Sequence, residues 1–282
     1  MKSSNIIEIA QGDSSCSNRV EPLSLAAPIS HRKHIQKILL IQPPAFSNNS
    51  RTDMNPNAPL GLAYIAAMLE REKYDVSIID AFIEGWDQDV RINEEKILVG
   101  LTFEQIQERV RKVDPDVVGI TSMFTSQRKN AHRVAQVVKN IDSEIVVIFG
   151  GAHPTSAPEM VMDDPCVDVA VLAEGDNLIA PLLQCIEADG DLRLLDGLAY
   201  RDESGQMVVI DKKTQIDDLD TLPYPARHLL PMEKYFAAGE RHGGGTKGVH
   251  AASMITSRGC QYRCNFCTAF KVFTRRPRMR SI

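Results

Sequence analysis

From Lys37 onward the apolar and polar positions fall into blocks that switch between two periods. Ile38-Leu39-Leu40-Ile41 is a continuous apolar run closed by Gln42-Pro43-Pro44, as expected of a strand covered on both faces. After a polar stretch, Pro59 stands where a helix can start, and Leu62, Ile65, Ala66 and Leu69 recur at helical spacing. These positions predict a helix over 59–73. The same pair of blocks then repeats. Val76-Ser77-Ile78-Ile79, Val117-Val118-Gly119-Ile120, Ile145 to Phe149 and Val167 to Leu172 read as strands. Residues 102–113, the stripe Ala131, Val134, Ala135 and Val138, and residues 177–188 read as helices. Strands alternating with helices need crossover connections, so the pattern predicts a doubly wound α/β domain at 35–189 with a five-stranded parallel sheet.

The flanks lack this rhythm. Residues 1–34 are rich in Ser, Asn and charge, and are expected to form a disordered tail; the Gly-Asp-Ser-Ser run at 12–15 matches a hydrolase serine motif only in its letters. Beyond 189, Leu198 to Tyr200 and Met207 to Ile210 flank Asp202-Glu203-Ser204-Gly205, which predicts a β-hairpin within a linker at 190–252. Pro223, Pro225, Pro231 and Gly243 to Gly245 belong to the same linker. Ser253 to Ser257 predicts a strand that opens a second unit at 253–282.

Composition narrows the function classes. The 282 residues carry a net charge of −5, so the positive field that favours nucleic acid is missing. No apolar run approaches the roughly 20 residues of a membrane span. A cytoplasmic protein is expected, with neither nucleic acid nor membrane as partner. Six cysteines are too few for a disulfide scaffold, and three of them, Cys260, Cys264 and Cys267, fall within eight residues. On a tight loop these spacings let three sulfurs converge, and thiolates suit zinc or iron–sulfur clusters. Structural zinc takes four protein ligands. No Cys or His follows Cys267, although His242 or His250 could complete such a site. A zinc-stabilised module therefore stands beside a cluster held by three thiolates.

Ligands of open parallel sheets sit beyond the carboxyl ends of the strands. The exits here read Gln42-Pro43-Pro44, Thr121-Ser122-Met123-Phe124, Gly150-Gly151-Ala152-His153-Pro154 and Glu174-Gly175-Asp176. Glycines permit close backbone approach and hydroxyls can donate. A tight turn into the next helix accounts for the glycines equally well.

Cys260-x-x-x-Cys264-x-Phe266-Cys267 resembles the signature of radical S-adenosylmethionine (radical SAM) enzymes. The resemblance implies a [4Fe-4S] cluster whose open iron binds S-adenosylmethionine, and one-electron cleavage to a 5′-deoxyadenosyl radical. It also implies that Phe266 packs beside the adenine. The Pro-Pro exit, Pro59-Leu60-Gly61-Leu62-Ala63-Tyr64-Ile65-Ala66, Gly150-Gly151-x-His153-Pro154 and Glu174-Gly175-Asp176 together look like the cobalamin domain of the B12-binding radical SAM proteins, over about 37–282. That resemblance implies a Rossmann-like cobalamin domain followed by the start of a (β/α) barrel. Its implied cofactor contacts are Thr121, Ser122, Gly150, Gly151, His153, Glu174 and Gly175. The Asp-x-His-x-x-Gly motif that ligates cobalt in some cobalamin proteins is absent; the nearest stretch is Glu240-Arg241-His242-Gly243. Cobalt is therefore expected to lack a protein histidine.

The implied activity is a cobalamin-dependent methyl transfer to a carbon or phosphorus centre of a small molecule, with a one-electron donor such as flavodoxin or ferredoxin. Cobalamin-dependent cyclisation or rearrangement, and a corrinoid carrier without catalysis, are the alternatives. A complete barrel takes about 250 residues, and thirty follow Ala252, so a truncated chain, inactive alone, is expected. Gly243 to Gly248 matches Gly-x-Gly-x-x-Gly but precedes a predicted strand, the wrong context for a dinucleotide site. Arg275, Arg276, Arg278 and Arg280 are expected to form a basic, solvated end.

Overall fold

The computed structural model describes residues 5–8, 34–48, 54–238, 250 and 252–281. The strands of its main sheet are β1 (Lys37–Gln42), β2 (Asp75–Asp80), β3 (Val117–Thr121), β4 (Val146–Gly150), β5 (Val169–Val171), β6 (Leu198–Arg201) and β7 (Met207–Ile210). Their spatial order is β2-β1-β3-β4-β5-β6-β7. The first five are parallel, as the apolar runs predict. β6 runs antiparallel to both of its neighbours.

The predicted hairpin therefore does not lie in a linker. Leu198, Ala199 and Tyr200 pair with Val171, Ala170 and Val169, and all three are buried. An antiparallel hairpin joins a sheet without a crossover, and here it covers the open edge of β5.

Along β1 the two-residue period of a strand sends Ile38 and Leu40 to one face and Leu39 and Ile41 to the other. On the first face α1 (Leu60–Arg71) supplies Leu62, Ala66 and Leu69. The short helix α2 (Ala81–Glu84) follows β2. On the second face α3 (Phe103–Val113) brings Ile106 and Val110, and α4 (Arg128–Ile141) brings Val134 and Val138. A capping box fixes the start of α3: Gln105 N donates to Thr102 Oγ1 (3.3 Å) and Thr102 N to Gln105 Oε1 (2.8 Å). After β4 come α5 (Ala152–Ser156) and α6 (Pro158–Met162), and after β5 comes α7 (Ile179–Glu187), whose Leu182 and Leu183 complete the first face. Strand order reverses between β1 and β3, which creates the crevice where such sheets hold ligands.

A second, smaller sheet pairs residues 5–8, 88–91, 97–99 and 45–47. Sequence reading does not predict it, because three- and four-residue strands are too short to display a period. Residues 5–8 thus form a strand inside the segment expected to be disordered; the run at 12–15 lies outside the described residues. The expected strand at 253–257 reduces to Ser257–Arg258, which pairs with Arg278–Met279. The glycine run at 243–248, with Glu240 to His242, also lies outside the described residues. Among those described, no helix is long and apolar enough to cross a membrane.

Helix α8 (Met232–Ala238) docks beside the last residue of β2. Its Tyr235 hydroxyl donates to Asp80 Oδ2 (2.6 Å), and both side chains are fully buried. Burial pushes the Asp80 carboxyl up to about 7, against the bonds from Tyr235 and Ile83 N, which favour the charged form. Because the folded value lies above the ordinary 3.9, the associated stability is complete below about pH 4 and is lost as pH rises through about 7. Denaturation midpoints are expected to fall between about pH 5 and about pH 8, and Asp80→Asn is expected to flatten that fall. An unchanged slope in the variant would remove Asp80 as its source.

Candidate functional site

At the crevice the ends of β3 and β4 are locked together. Thr121, half-buried, pairs with Gly150. Ser122 N donates to Gly150 O (2.8 Å) and His153 N to Ser122 O (3.0 Å). Gly151 has φ +112°, and a Cβ there would stand 2.8 Å from Ser122 O, so no other residue fits without strain. At Gly150 a Cβ would meet nothing within 4 Å, which leaves the backbone open to a ligand.

His153 is buried, with Nδ1 3.0 Å from Thr125 Oγ1. Its Nε2, like Ser122 Oγ, is buried without a hydrogen-bond partner among the described residues. Burial, with His132 and Arg128 adding to it, holds the imidazole below the ordinary histidine value. Each orphaned polar atom costs about 1–3 kcal/mol, and a polar ligand at these exits would relieve that cost. Met123 and Phe124, 53% and 68% exposed, add apolar surface to the same exit.

Glu174 and Asp176, just beyond β5, do something the sequence does not announce. Arg278 Nη1 donates to Glu174 Oε2 (2.9 Å) and Nη2 to Oε1 (2.5 Å). Arg258 Nη1 and Nη2 donate to Asp176 Oδ2 and Oδ1 (2.7 and 3.0 Å). All four side chains are at most 8% exposed. The Arg258 guanidinium also lies over the rings of Tyr64 and Phe273 (5.4 and 5.6 Å). Glu174 is thus committed to Arg278 and to Ile216 N (3.3 Å) rather than to a ligand. Gly175 serves packing, since a Cβ there would press on Val171 and Ile65.

The arginine-rich end is corrected as well. Arg278 is buried, Arg280 lies over Tyr64 and Tyr224, and Arg276 pairs with Asp217. Acidic and aromatic partners draw Arg278 fully and Arg280 partly out of solvent, whereas Arg275 and Arg276 stay exposed as expected.

The two buried arginines flank the cysteine loop at its base. Gly259, with φ +97°, turns the chain where a Cβ would clash with Arg276 O, and Cys260 N donates to Thr274 O (3.1 Å). Arg275 Nη1 donates to Tyr262 O (2.6 Å), and its guanidinium stacks on Phe270 (4.1 Å). Cys267 N donates to Cys264 O (3.3 Å), and Ala269 N to Cys267 Sγ (3.5 Å), just ahead of α9 (Ala269–Phe273). Helix α9 packs against α5, which follows Gly151.

Cys264 is exposed, Cys260 and Cys267 are half-buried, and Phe266 is 87% exposed. The loop carries three thiols on one short segment but does not gather them: among the described residues no three His, Cys, Asp or Glu side chains are grouped to hold a metal. Thiolate sets of this kind close as the metal binds. His250 stacks on Phe236 (4.3 Å) and His242 lies outside the described residues. Besides the two arginines, sequence reading misses Thr155, whose hydroxyl donates to Gly151 O (2.8 Å) and accepts from Ala173 N (2.9 Å).

The B12 binding domain family model matches residues 54–183. The chain is 36% identical over 249 residues to uncharacterized methyltransferase PH0819 of Pyrococcus horikoshii, an alignment covering 88% of this chain and 48% of that protein. It is 32% identical over 273 residues to cytidylyl-2-hydroxyethylphosphonate methyltransferase of Streptomyces wedmorensis, covering 89% of this chain and 51% of that protein. It thus spans about half the length of the curated relatives it matches. Among solved structures, its fold is similar to that of the radical S-adenosylmethionine methyltransferase TsrM from Kitasatospora setae with cobalamin and [4Fe-4S] cluster bound. That likeness has a TM-score of 0.60 at 17% identity and covers 88% of this chain and 45% of that one. Residues 54–183 thus form a B12-binding domain, with the cysteine loop clamped onto its strand exits, and over most of its length the chain is similar to cobalamin-dependent radical SAM methyltransferases.

Proposed function

We propose that this chain forms the cobalamin-binding and cluster-binding part of a cobalamin-dependent radical SAM methyltransferase acting on a small molecule. The observation that carries the reading is the pair of buried ion pairs, Glu174–Arg278 and Asp176–Arg258, which ties the three-cysteine loop to strand exits rich in unsatisfied polar groups. Open backbone at Gly150, the close approach at Gly151 and the free Ser122 Oγ and His153 Nε2 suit a large ligand with an apolar face and amide-rich edges. Thr121 ends the strand beside them.

Cys260, Cys264 and Cys267 are soft donors suited to iron, and three of them leave one iron open. The exposed Phe266 ring is available to the adenine. His153 engages Thr125, and its role is to hold the exit and meet the corrinoid rather than to ligate cobalt. When bound, the cluster supplies the electron that cleaves S-adenosylmethionine and the corrinoid supplies the methyl group. A one-electron donor such as flavodoxin or ferredoxin is part of the proposal. Methyl transfer is favoured over cyclisation because the two relatives described above carry methyltransferase names.

The test is anaerobic reconstitution followed by dialysis against aqua-cobalamin, with cobalt, iron and sulfide measured on one sample. Retained corrinoid together with about four iron and four sulfide per chain is expected. Zinc without sulfide, and no retained corrinoid, would overturn the reading.

A further inference from the structure

Arg258 and Arg278 are register partners, directly opposite each other on the two-stranded ribbon that closes the base of the cysteine loop. Like charges facing each other across a strand pair oppose its formation. The ribbon is therefore favoured where both guanidinium groups are neutralised, and the neutralising groups are Asp176 and Glu174 of the α/β domain. The base of the loop is in this sense completed by another domain's carboxylates.

Those carboxylates are in turn bonded to the corrinoid exit. Ala173, the residue before Glu174, has φ +59°, a conformation costly for a residue with a Cβ. Its N–H is held by Thr155 Oγ1, and the same hydroxyl donates to Gly151 O. One side chain thus joins the exit of β4 to the exit of β5. From Gly151 the connection runs through Thr155 and Ala173 to Glu174 and Asp176, and across the ion pairs to Arg278 and to Arg258, two residues before Cys260.

We propose that Thr155 and the two buried ion pairs are positioning groups that couple the two cofactor sites. Closing the cysteine loop around its cluster tightens corrinoid binding, and corrinoid binding stabilises the closed loop by the same factor. The coupling rests on the cofactor assignment above. It requires no movement of either ligand toward the other. Each ligand favours the docked ribbon and the fixed 173–176 segment over their loosened alternatives, and each therefore finds that work already done by the other.

The experiment is an equilibrium titration of the anaerobic chain with aqua-cobalamin, followed by visible absorption, on cluster-reconstituted protein and on protein stripped of iron by chelation. The cluster-loaded chain is expected to bind at least about fivefold more tightly. Thr155→Val keeps the shape and removes the hydroxyl, and is expected to bring the ratio of the two affinities to about one while each site still fills. Thr155→Ser restores the hydroxyl and is expected to restore the ratio. Asp176→Asn, which weakens the Arg258 pair from the other end, is expected to act as Thr155→Val does, so a poorly folding Val variant leaves the test intact.

A ratio of one in the unmodified chain, or a full ratio in Thr155→Val and Asp176→Asn, would overturn the coupling and leave the cofactor assignment standing. Failure of the unmodified chain to bind corrinoid in either state would overturn the assignment itself, and the coupling with it.

Discussion

Anaerobic reconstitution of a Cys264→Ala chain is expected to leave iron and sulfide near background while the fold is unaffected. Cys264 is exposed, so its truncation removes no core packing and leaves no buried group unpaired. On the proposed assignment it is one of three thiolates that would hold a cubane, and with two remaining the cluster would lack a protein ligand on two of its irons. The contrast is Cys166→Ala. That thiol is buried, and burial, with Asp164 close by, pushes its pKa up to about 12. It is an inert packing group, and its loss is expected to leave the iron content unchanged. Iron and labile sulfide assays with parallel thermal melts check both. Full iron retention in Cys264→Ala would remove that residue from the ligand set.

The second large effect is expected from Arg278→Met. Glu174 and Arg278 are each 2% exposed, and the arginine also donates to Ile216 O (2.5 Å) and Phe273 O (3.0 Å). Removing it leaves the buried carboxylate with only Ile216 N (3.3 Å) and the more distant Arg258 Nη1 (3.8 Å), and breaking a buried pair in this way costs about 3–5 kcal/mol. The loss is expected as weaker docking of the cysteine segment, read as faster limited proteolysis between 259 and 277. The double variant Glu174→Met/Arg278→Met removes the stranded charge as well and is expected to recover much of the loss, because apolar pairs often replace buried ion pairs at little cost. A loss under about 1 kcal/mol in the single variant would mean the carboxylate finds water or another donor, contrary to its burial here.

The five parallel strands were legible because each is a mainly apolar stretch of four or more residues in the sequence, set between helical stripes. Attachment of the hairpin was not legible, because the short apolar runs Leu198 to Tyr200 and Met207 to Ile210 show that strands exist and not which edge they join. The small sheet escaped because Ala45–Ser47 and Ile97–Val99 are only three residues long.

At the site, Gly150-Gly151 and the hydroxyls before them were readable as a strand exit. Glu174 and Asp176 were readable as a motif whose chemistry pointed the wrong way. Their partners lie 104 and 82 positions further along the chain, a separation at which charge complementarity leaves no local signature. One signal was present: Arg276, Arg278 and Arg280 alternate as residues on one face of a strand do, and an alternating cationic face implies an acidic surface to receive it. Thr155 had no comparable signal, since a threonine four residues after Gly151 is unremarkable until the two loops are seen side by side.

The facing arginines also set the terms on which this segment can be exchanged. Grafted onto another α/β scaffold, the stretch from Ser257 to Met279 would carry two opposed cations, and it would dock best where the host offers an acid two residues before another at the end of its fifth strand. A chimera lacking that acidic spacing would inherit every thiol and still present them on an open, frayed segment.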